Sequence, residues 1–125
     1  MNIGKVAAAA AVAIAMAVAV SPAQARDFSG SASWYQHGSR TANGERFNPD
    51  GLSAAHRTLP FGTRLTVTNL RNGKSVNVRV NDRGPFTGGR ILDVSRGAAR
   101  QLGMISSGTA KVRVQVRGSA EVASN

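Results

Sequence analysis

The stretch V-N-V-R-V-N-D-R-G-P-F, residues 76–86, decides how this chain folds. Valine at every second position predicts a strand with one buried and one solvated face. Asp82 continues the same alternation, so we expect its carboxyl to lie where the buried face ends and to be partly desolvated. Desolvation favours the protonated form of a carboxyl. An acid that donates a proton must be in this protonated form at neutral pH. Residues 83–86 then predict a sharp turn, and the alternative is that Asp82 caps this turn or pairs with Arg83.

The first 25 residues have the pattern of a secretion signal. Lys5 precedes an apolar run at residues 6–20, and Ala23-Gln24-Ala25 is typical of a cleavage site. The apolar run is shorter than the roughly 18–20 residues of a membrane-spanning helix. We therefore expect cleavage after Ala25 and a periplasmic or secreted protein with no stable membrane anchor. The chain has no cysteine, so we expect neither a lipid anchor nor a disulfide.

The length of the remaining chain, residues 26–125, predicts one domain with a modest core. Without Lys5 it carries 15 basic and 6 acidic side chains, a formal charge of +9. In a cytoplasmic protein this charge suggests that the binding partner is nucleic acid. For an exported protein we expect anionic cell-wall polymers as the partner, and no nucleic acid. The basic residues are scattered, so a solvated basic surface is the alternative. Two histidines and no cysteine predict no metal site, and we expect no cofactor.

Alternating apolar positions, together with short apolar or β-permissive runs, predict five or six short strands. They are expected at residues 29–36, 64–70, 76–82, 91–94 and 110–117, with a short apolar segment at 52–56. Asn72-Gly73 is a strong signal for an antiparallel hairpin. Ser95 and Gly103 are typical caps of one short helix between them. Because a second layer of helices has no room, the pattern favours a closed or nearly closed β-barrel over a sandwich.

Two further candidates for chemistry lie between the strands. Residues 37–51 are rich in turn formers, and a loop of this length in a small domain tends to be functional or disordered. Glu45 is its candidate carboxyl, and the alternative is a surface residue balanced by Arg40 or Arg46. His56 has a side chain that can move a proton or orient a carboxyl, whereas a lone histidine is more often structural.

Trp34 and Tyr35 are the only tryptophan and the only tyrosine of the chain. Aromatic rings stack on the faces of sugars, so both residues are candidates for binding a glycan. The alternative for Trp34 is burial, because a tryptophan in a domain of this size more often belongs to the core.

Several long motifs, in order, resemble the rare lipoprotein A family. They are A-S-W-Y at 32–35, R-T-A-N-G-E-R-F at 40–47, A-A-H-R-T-L-P-F-G-T at 54–63, N-D-R-G-P-F at 81–86 and D-V-S-R-G-A-A at 93–99. The resemblance covers nearly all of the chain after residue 25. It implies an all-β fold, a six-stranded double-psi β-barrel with one short helix, which is shared with expansins. It also implies lytic transglycosylase activity on the glycan strands of peptidoglycan.

The resemblance gives Glu45, His56 and Asp82 the positions of the family's catalytic residues. In this interpretation Asp82 protonates the leaving oxygen and then acts as base, while Glu45 stabilises an oxocarbenium-like transition state. His56 then bonds to one of the two carboxyls. Asp82 is preferred as the acid because of its expected half-buried position, and an exchange of roles with Glu45 is also compatible with the sequence. The residues predicted to contact the substrate are Trp34, Tyr35, Asn81 and Arg83.

Two other functions are compatible with the same residues. An inverting hydrolase that uses Glu45 and Asp82 as acid and base needs the two carboxyls roughly 6.5–9.5 Å apart to admit a water. An expansin-like module binds wall glycan without cutting it and needs only the basic surface and the aromatic rings. Soluble product distinguishes an enzyme from a binding module, and an anhydro end distinguishes a transglycosylase from a hydrolase.

Overall fold

Six strands and one helix build the barrel. This computed structural model describes residues 27–86 and 88–118, so the predicted secretion signal lies outside the described residues. The elements are β1 (Asp27–Tyr35), β2 (Ser53–Ala55), β3 (Arg64–Asn69), β4 (Ser75–Asp82), β5 (Arg90–Ser95), α1 (Arg96–Leu102) and β6 (Thr109–Gly118). Within these ranges the predicted all-β fold of six strands with one short helix is confirmed. No helix in the described part of the chain has the length and apolar character needed to cross a bilayer.

The strands close into a barrel in the order β1-β5-β2-β4-β3-β6. β1 pairs with β5 and β2 with β4 in parallel, and the other four pairs are antiparallel. The predicted turn at Asn72-Gly73 joins β3 to β4, with Gly73 at φ +79°, a conformation that glycine adopts without steric cost. Closure of the barrel excludes the sandwich alternative.

Alternating apolar side chains fill the inside of the barrel. Along β4 the three valines are buried and the residues between them are exposed, as the sequence predicts. The remaining core residues come from the other strands, from α1 and from the turn after it: Ala32, Ala54, Leu65, Val67, Leu92, Val94, Ala98, Ala99, Leu102, Met104, Val112 and Val114. Each of the larger side chains contributes roughly 1.5–3 kcal/mol by leaving water. The closed core leaves the outer face of the barrel for chemistry.

An extra residue near the end of β4 changes the face on which Asp82 lies. β2 pairs Ala54 with Val80 and then Ala55 with Asp82. Asn81 therefore has no partner on β2 and forms a β-bulge. Paired residues point to the same side of a sheet, and Ala54 belongs to the core, so Ala55 and Asp82 lie on the outer face. The prediction that Asp82 shares the face of the valines is wrong, because the bulge turns its half-buried side chain outward.

Helix α1 begins and ends at the predicted caps. The side-chain oxygen of Ser95 accepts a hydrogen bond from the Ala98 N–H at 3.3 Å. Gly103 ends the helix at φ +70°. Gly97 packs against the loop that precedes β2, where its N–H donates to the Pro49 carbonyl at 2.8 Å. The helix is thereby fixed against the loop that leads to the candidate site.

Gly97→Ala should destabilise the protein by about 1–3 kcal/mol. A Cβ atom at this position would lie 2.4 Å from the Asp50 carbonyl oxygen and 2.7 Å from that of Gly51. Alanine has a higher helix propensity than glycine by about 1 kcal/mol, which by itself would stabilise the helix. A net loss of stability must therefore come from the steric clash. Urea unfolding measures the change, and the control is Gly118→Ala, whose Cβ meets no atom within 4 Å. Equal stability of Gly97→Ala and the wild type would contradict this close packing.

Candidate active site

Four residues on adjacent strands line up across the outer face of the barrel. The register places Asp82 of β4 beside Ala55 of β2, Ala55 beside Asp93 of β5, and Asp93 beside Ser33 of β1. We call this surface the outer groove. Ala55 is small and 3% exposed, so it forms the floor between the two aspartates. Ser33 donates a hydrogen bond to Asp93 Oδ1, which also lies 3.9 Å from Arg90 Nε.

Three donors hold the Asp82 carboxyl in one orientation. Oδ1 accepts hydrogen bonds from the backbone N–H groups of Ala42 and Arg83, both at 2.9 Å. Oδ2 accepts a hydrogen bond from the hydroxyl of Tyr35 at 3.0 Å. Asp82 does cap the turn that follows it, as the alternative interpretation predicts. It also joins β1 and the loop before β2 to the end of β4.

The loop between β1 and β2 folds onto the end of β4. Its tip is a small hairpin with a bridge between Arg40 and Arg46. The N–H of Asn43 donates to the Asn81 carbonyl at 3.2 Å. Together with the loop's contact to the aspartate described above, this hydrogen bond fixes the hairpin against the sheet. The loop thus carries Glu45 to the edge of the outer groove.

Glu45 forms a bidentate ion pair with an arginine of β4. Its carboxylate oxygens accept hydrogen bonds from Nη1 and Nη2 of Arg79 at 2.9 and 3.0 Å. Oε1 also accepts one from Asn81 Nδ2 at 3.2 Å. These hydrogen bonds, the one from Arg79 foremost, lower the pKa of Glu45 to about 2. The partner of this carboxylate is therefore neither Arg40 nor Arg46, and Glu45 is ionised at neutral pH.

Tyr35 links β1 to Asp82 across the outer groove. Its ring stacks on Phe47 with the centroids 4.8 Å apart and an interplanar angle of 6°. Burial raises the pKa of Tyr35 well above its usual range, and the neighbouring Asp82 and Asp93 raise it further. Tyr35 is therefore a neutral hydrogen-bond donor with one ring face covered by Phe47.

His56 directly follows β2, and the backbone holds its imidazole. Nδ1 accepts hydrogen bonds from the N–H groups of Thr58 and Leu59 at 3.1 and 3.0 Å. Nε2 is therefore the nitrogen that carries the proton. Among the described residues no hydrogen bond joins this imidazole to Glu45 or Asp82, so the predicted contact with a carboxyl is not made in this structure.

The His56 ring borders a largely apolar cavity next to the outer groove. Its volume is about 230 Å³, and its lining residues are Phe28, His56, Arg57, Thr58 and Ile91. Phe28 meets the imidazole edge-on with the centroids 5.4 Å apart. Burial lowers the pKa of His56, and the positive charges of Arg83 and Arg57 lower it further. The imidazole is therefore neutral near pH 7.

Trp34 and Asn81 are both predicted to bind substrate, but their described contacts are with other residues of the protein. Trp34 is half-buried and packs against the hydrophobic core, as its burial alternative predicts. Asn81 is 4% exposed and donates to Glu45. These contacts indicate that both residues support the outer groove from within.

Arg83, also predicted to bind substrate, links the turn after β4 to the loop after β2. Its Nη1 donates to the carbonyls of His56 and Leu59 at 3.3 and 2.9 Å. Its guanidinium lies 3.9 Å from the centroid of the Phe61 ring, a cation–π contact. The described contacts of Arg83 therefore hold the backbone that orients the imidazole.

Sequence reasoning misses three residues that the structure brings to the site: Arg79, Asp93 and Phe47. Asp93 lies between Leu92 and Val94, and this alternation marks it as outward-facing. Arg79 occupies a similar polar position on β4, and Phe47 is an isolated aromatic in a turn-rich loop. Only the strand order reveals that β5 lies two strands from β4. Within the described ranges, no three histidine or acidic side chains are grouped to hold a metal ion.

Ionisation of Tyr35 should begin only above the ordinary tyrosine value of about 10. The chain has one tyrosine, so the ultraviolet absorbance of phenolate reports this residue alone. Because folding raises this pKa, the stability it contributes is complete below about pH 10 and is lost as the pH rises further. Circular dichroism must therefore verify the fold at each pH.

Asp82→Asn provides the matched comparison for this titration. It removes the charge that raises the Tyr35 pKa and leaves burial in place, so the midpoint should fall but stay above about 10. An identical midpoint in the two proteins would contradict the contact between the phenol and the carboxyl.

Glu45→Gln should lower the free energy of unfolding above about pH 4.5, by at most about 1 kcal/mol because both partners are well exposed to solvent. The pKa of Glu45 is lowered in the folded state, so its ion pair stabilises the fold above the ordinary value of 4.5. That contribution is lost as the pH falls toward about 2. Urea unfolding of both proteins across this range measures the difference. A difference that stays constant with pH would rule out the ion pair as its source.

Comparison with protein families matches residues 27–114 to the family described as lytic transglycolase. A protein of Synechocystis sp. named "Probable endolytic peptidoglycan transglycosylase RlpA" is 67% identical over 90 residues, which cover 70% of this chain and 28% of that protein. The "Endolytic peptidoglycan transglycosylase RlpA" of Campylobacter jejuni is 59% identical over 92 residues, which cover 71% of this chain and 34% of that protein. The chain thus spans about a third or less of these relatives.

Two solved structures share the fold at low identity. The Streptomyces papain inhibitor superposes with a TM-score of 0.62 at 20% identity, over 74% of this chain and 96% of that one. An expansin of Clavibacter michiganensis superposes with a TM-score of 0.61 at 23% identity, over 74% of this chain and 51% of that one. The closed six-stranded barrel and the family match over residues 27–114 place this chain in the lytic transglycolase family, with a double-psi β-barrel domain.

Proposed function

We propose that this protein is a lytic transglycosylase that cleaves the bond between N-acetylmuramic acid and N-acetylglucosamine in peptidoglycan. The observation that carries the proposal is the Asp82 carboxyl, which three donors orient on the outer face of the barrel. Relatives named as endolytic peptidoglycan transglycosylases, at 59% and 67% identity, support this substrate. The basic surface suits an anionic wall polymer.

The proposed reaction uses one carboxyl first as acid and then as base. Asp82 gives a proton to the glycosidic oxygen as the bond between that oxygen and the muramyl C1 breaks. The muramyl 6-hydroxyl then attacks C1 in place of water, and Asp82 takes up the proton of that hydroxyl. The product carries a 1,6-anhydromuramyl end, and Asp82 returns to its protonated form.

Glu45 is unsuited to donate the proton, because a pKa of about 2 keeps it ionised at neutral pH. This favours Asp82 as the acid over the exchanged assignment. A fixed negative charge suits the other task, stabilisation of the positive charge that develops on the sugar ring in the transition state. The bidentate contact with Arg79 orients that charge before the substrate arrives.

In this proposal Tyr35 positions the acid and His56 binds the substrate. The Tyr35 hydroxyl donates to Asp82 Oδ2 and so restricts the orientation of the carboxyl. The neutral imidazole of His56 carries its proton on Nε2, which suits it to donate a hydrogen bond to a sugar oxygen rather than to transfer a proton.

The proposal places the protein outside the cytoplasmic membrane, where peptidoglycan is found. The apolar run at residues 6–20 and the Ala23-Gln24-Ala25 site support export. Glycan strands are the proposed partner, and the reaction as written uses no metal or cofactor.

Asp82→Asn should lower the rate of anhydro-product release by about 10²–10⁴, because the amide keeps the shape but has no transferable proton. The measurement is mass spectrometry of the soluble products released from purified peptidoglycan at matched concentrations of folded protein. The control is Asp27→Asn, at the far end of β1, which should leave the rate unchanged.

The products also separate the rival functions. Equal release by Asp82→Asn and the wild type would exclude Asp82 as the acid. Soluble products with reducing rather than anhydro ends would indicate a hydrolase. Binding of the wild type to peptidoglycan without any release would indicate an expansin-like binding module.

A further inference from the structure

Phe86, four residues after the proposed acid Asp82, presents its ring to solvent. The residue is 74% exposed, whereas Gly84 and Pro85 just before it are buried. Its ring folds back over Gly84, where a Cβ atom would lie 3.6 Å from it. Two residues of chain span at most about 7 Å, so the ring lies close to the turn that Asp82 caps.

The other aromatic side chains of the protein are already engaged. The chain has six, and all lie within the described residues. The five with partners in the core, in ring pairs or with a cation are Phe28, Trp34, Tyr35, Phe47 and Phe61. Of these six aromatic side chains, Phe86 is the one that is largely exposed to solvent.

Hydrogen bonds hold the backbone that leads into Phe86. Arg57, which follows β2, donates from Nε to the Pro85 carbonyl and from Nη2 to the Arg90 carbonyl, both at 2.8 Å. The N–H of Arg83, three residues before Phe86, donates to the Asp82 carboxyl. A ring on a fixed backbone loses little conformational entropy when it binds, which favours a binding role.

We propose that Phe86 stacks on a sugar of the glycan strand that binds at Asp82. The C–H face of a pyranose ring is apolar and packs on an aromatic ring. A glycan strand whose scissile bond lies at Asp82 places a neighbouring sugar over Phe86. The inference rests on the proposed glycan substrate and assigns to Phe86 the stacking role that the sequence suggests for Trp34 and Tyr35.

The test measures binding apart from cleavage. The full chain carrying Asp82→Asn is sedimented with insoluble glycan strands freed of stem peptides, and Phe86→Ala, Phe86→Leu and Phe86→Trp are compared in that background. The Ala and Leu variants should bind roughly two- to tenfold more weakly, and the Trp variant should bind at least as well as Phe. Leu70→Ala, which removes an exposed side chain before the β3–β4 turn, is the control and should bind unchanged.

Melting temperatures should be equal across the Phe86 series, because the side chain is mostly exposed. In proteins with Asp82 intact, Phe86→Ala should raise KM for release of anhydro ends and leave kcat nearly unchanged. Equal binding by Phe86→Leu and the parent would overturn the stacking role, as would a parent protein that does not bind the glycan. A wild type that binds without cleaving would refute the proposed activity, and the Phe86 series would still decide the stacking role.

Discussion

The site depends on one extra residue in β4. Asn81 has no partner on β2, and this bulge moves Asp82 from the face of the valines to the outer face of the barrel. The Oδ1 atom of Asn81 is buried without a hydrogen-bond partner among the described residues, while its Nδ2 donates to Glu45. An unpaired buried acceptor costs about 1–3 kcal/mol. Asn81 lies next to Asp82 and hydrogen-bonds to Glu45. A β-bulge with a local energetic cost beside such residues is typical of a functional site.

The two carboxyl groups of the site differ because different elements supply their partners. Glu45 comes from a loop and meets the guanidinium of Arg79, which holds it as a fixed charge. Asp82 ends a strand, and its described hydrogen bonds come from neutral donors, two backbone N–H groups and the Tyr35 hydroxyl. The hydrogen bonds from the Arg79 guanidinium lower the pKa of Glu45 to about 2, so this carboxylate is ionised at neutral pH. The proposed mechanism uses this difference in partners, with Glu45 as the stabilising charge and Asp82 as the acid.

Much of the fold was readable from local patterns in the sequence. Period-two alternation and short apolar or β-permissive runs marked the strands to within a few residues. Asn72-Gly73 marked the hairpin, and Ser95 and Gly103 marked the ends of the helix. These signals work because each depends on a few neighbouring residues and on backbone conformation. The same reasoning failed at Asp82, since alternation assumes an unbroken register and a bulge is set by the partner strand. The interpretation based on the family resemblance gave His56 a carboxyl partner, whereas in the structure its Nδ1 accepts from two backbone N–H groups.

The sequence by itself determined the residue types available for chemistry, the positions of most strands and the motifs that identify the family. Tertiary structure alone decided which of these residues meet. Asp82 and Tyr35 are 47 positions apart, and Glu45 and Arg79 are 34 apart. Their contacts depend on the order in which parallel and antiparallel strands close the barrel. The hydrophobic pattern along a chain shows which face of a strand is buried. Which other strands lie beside that strand is decided only when the sheet closes.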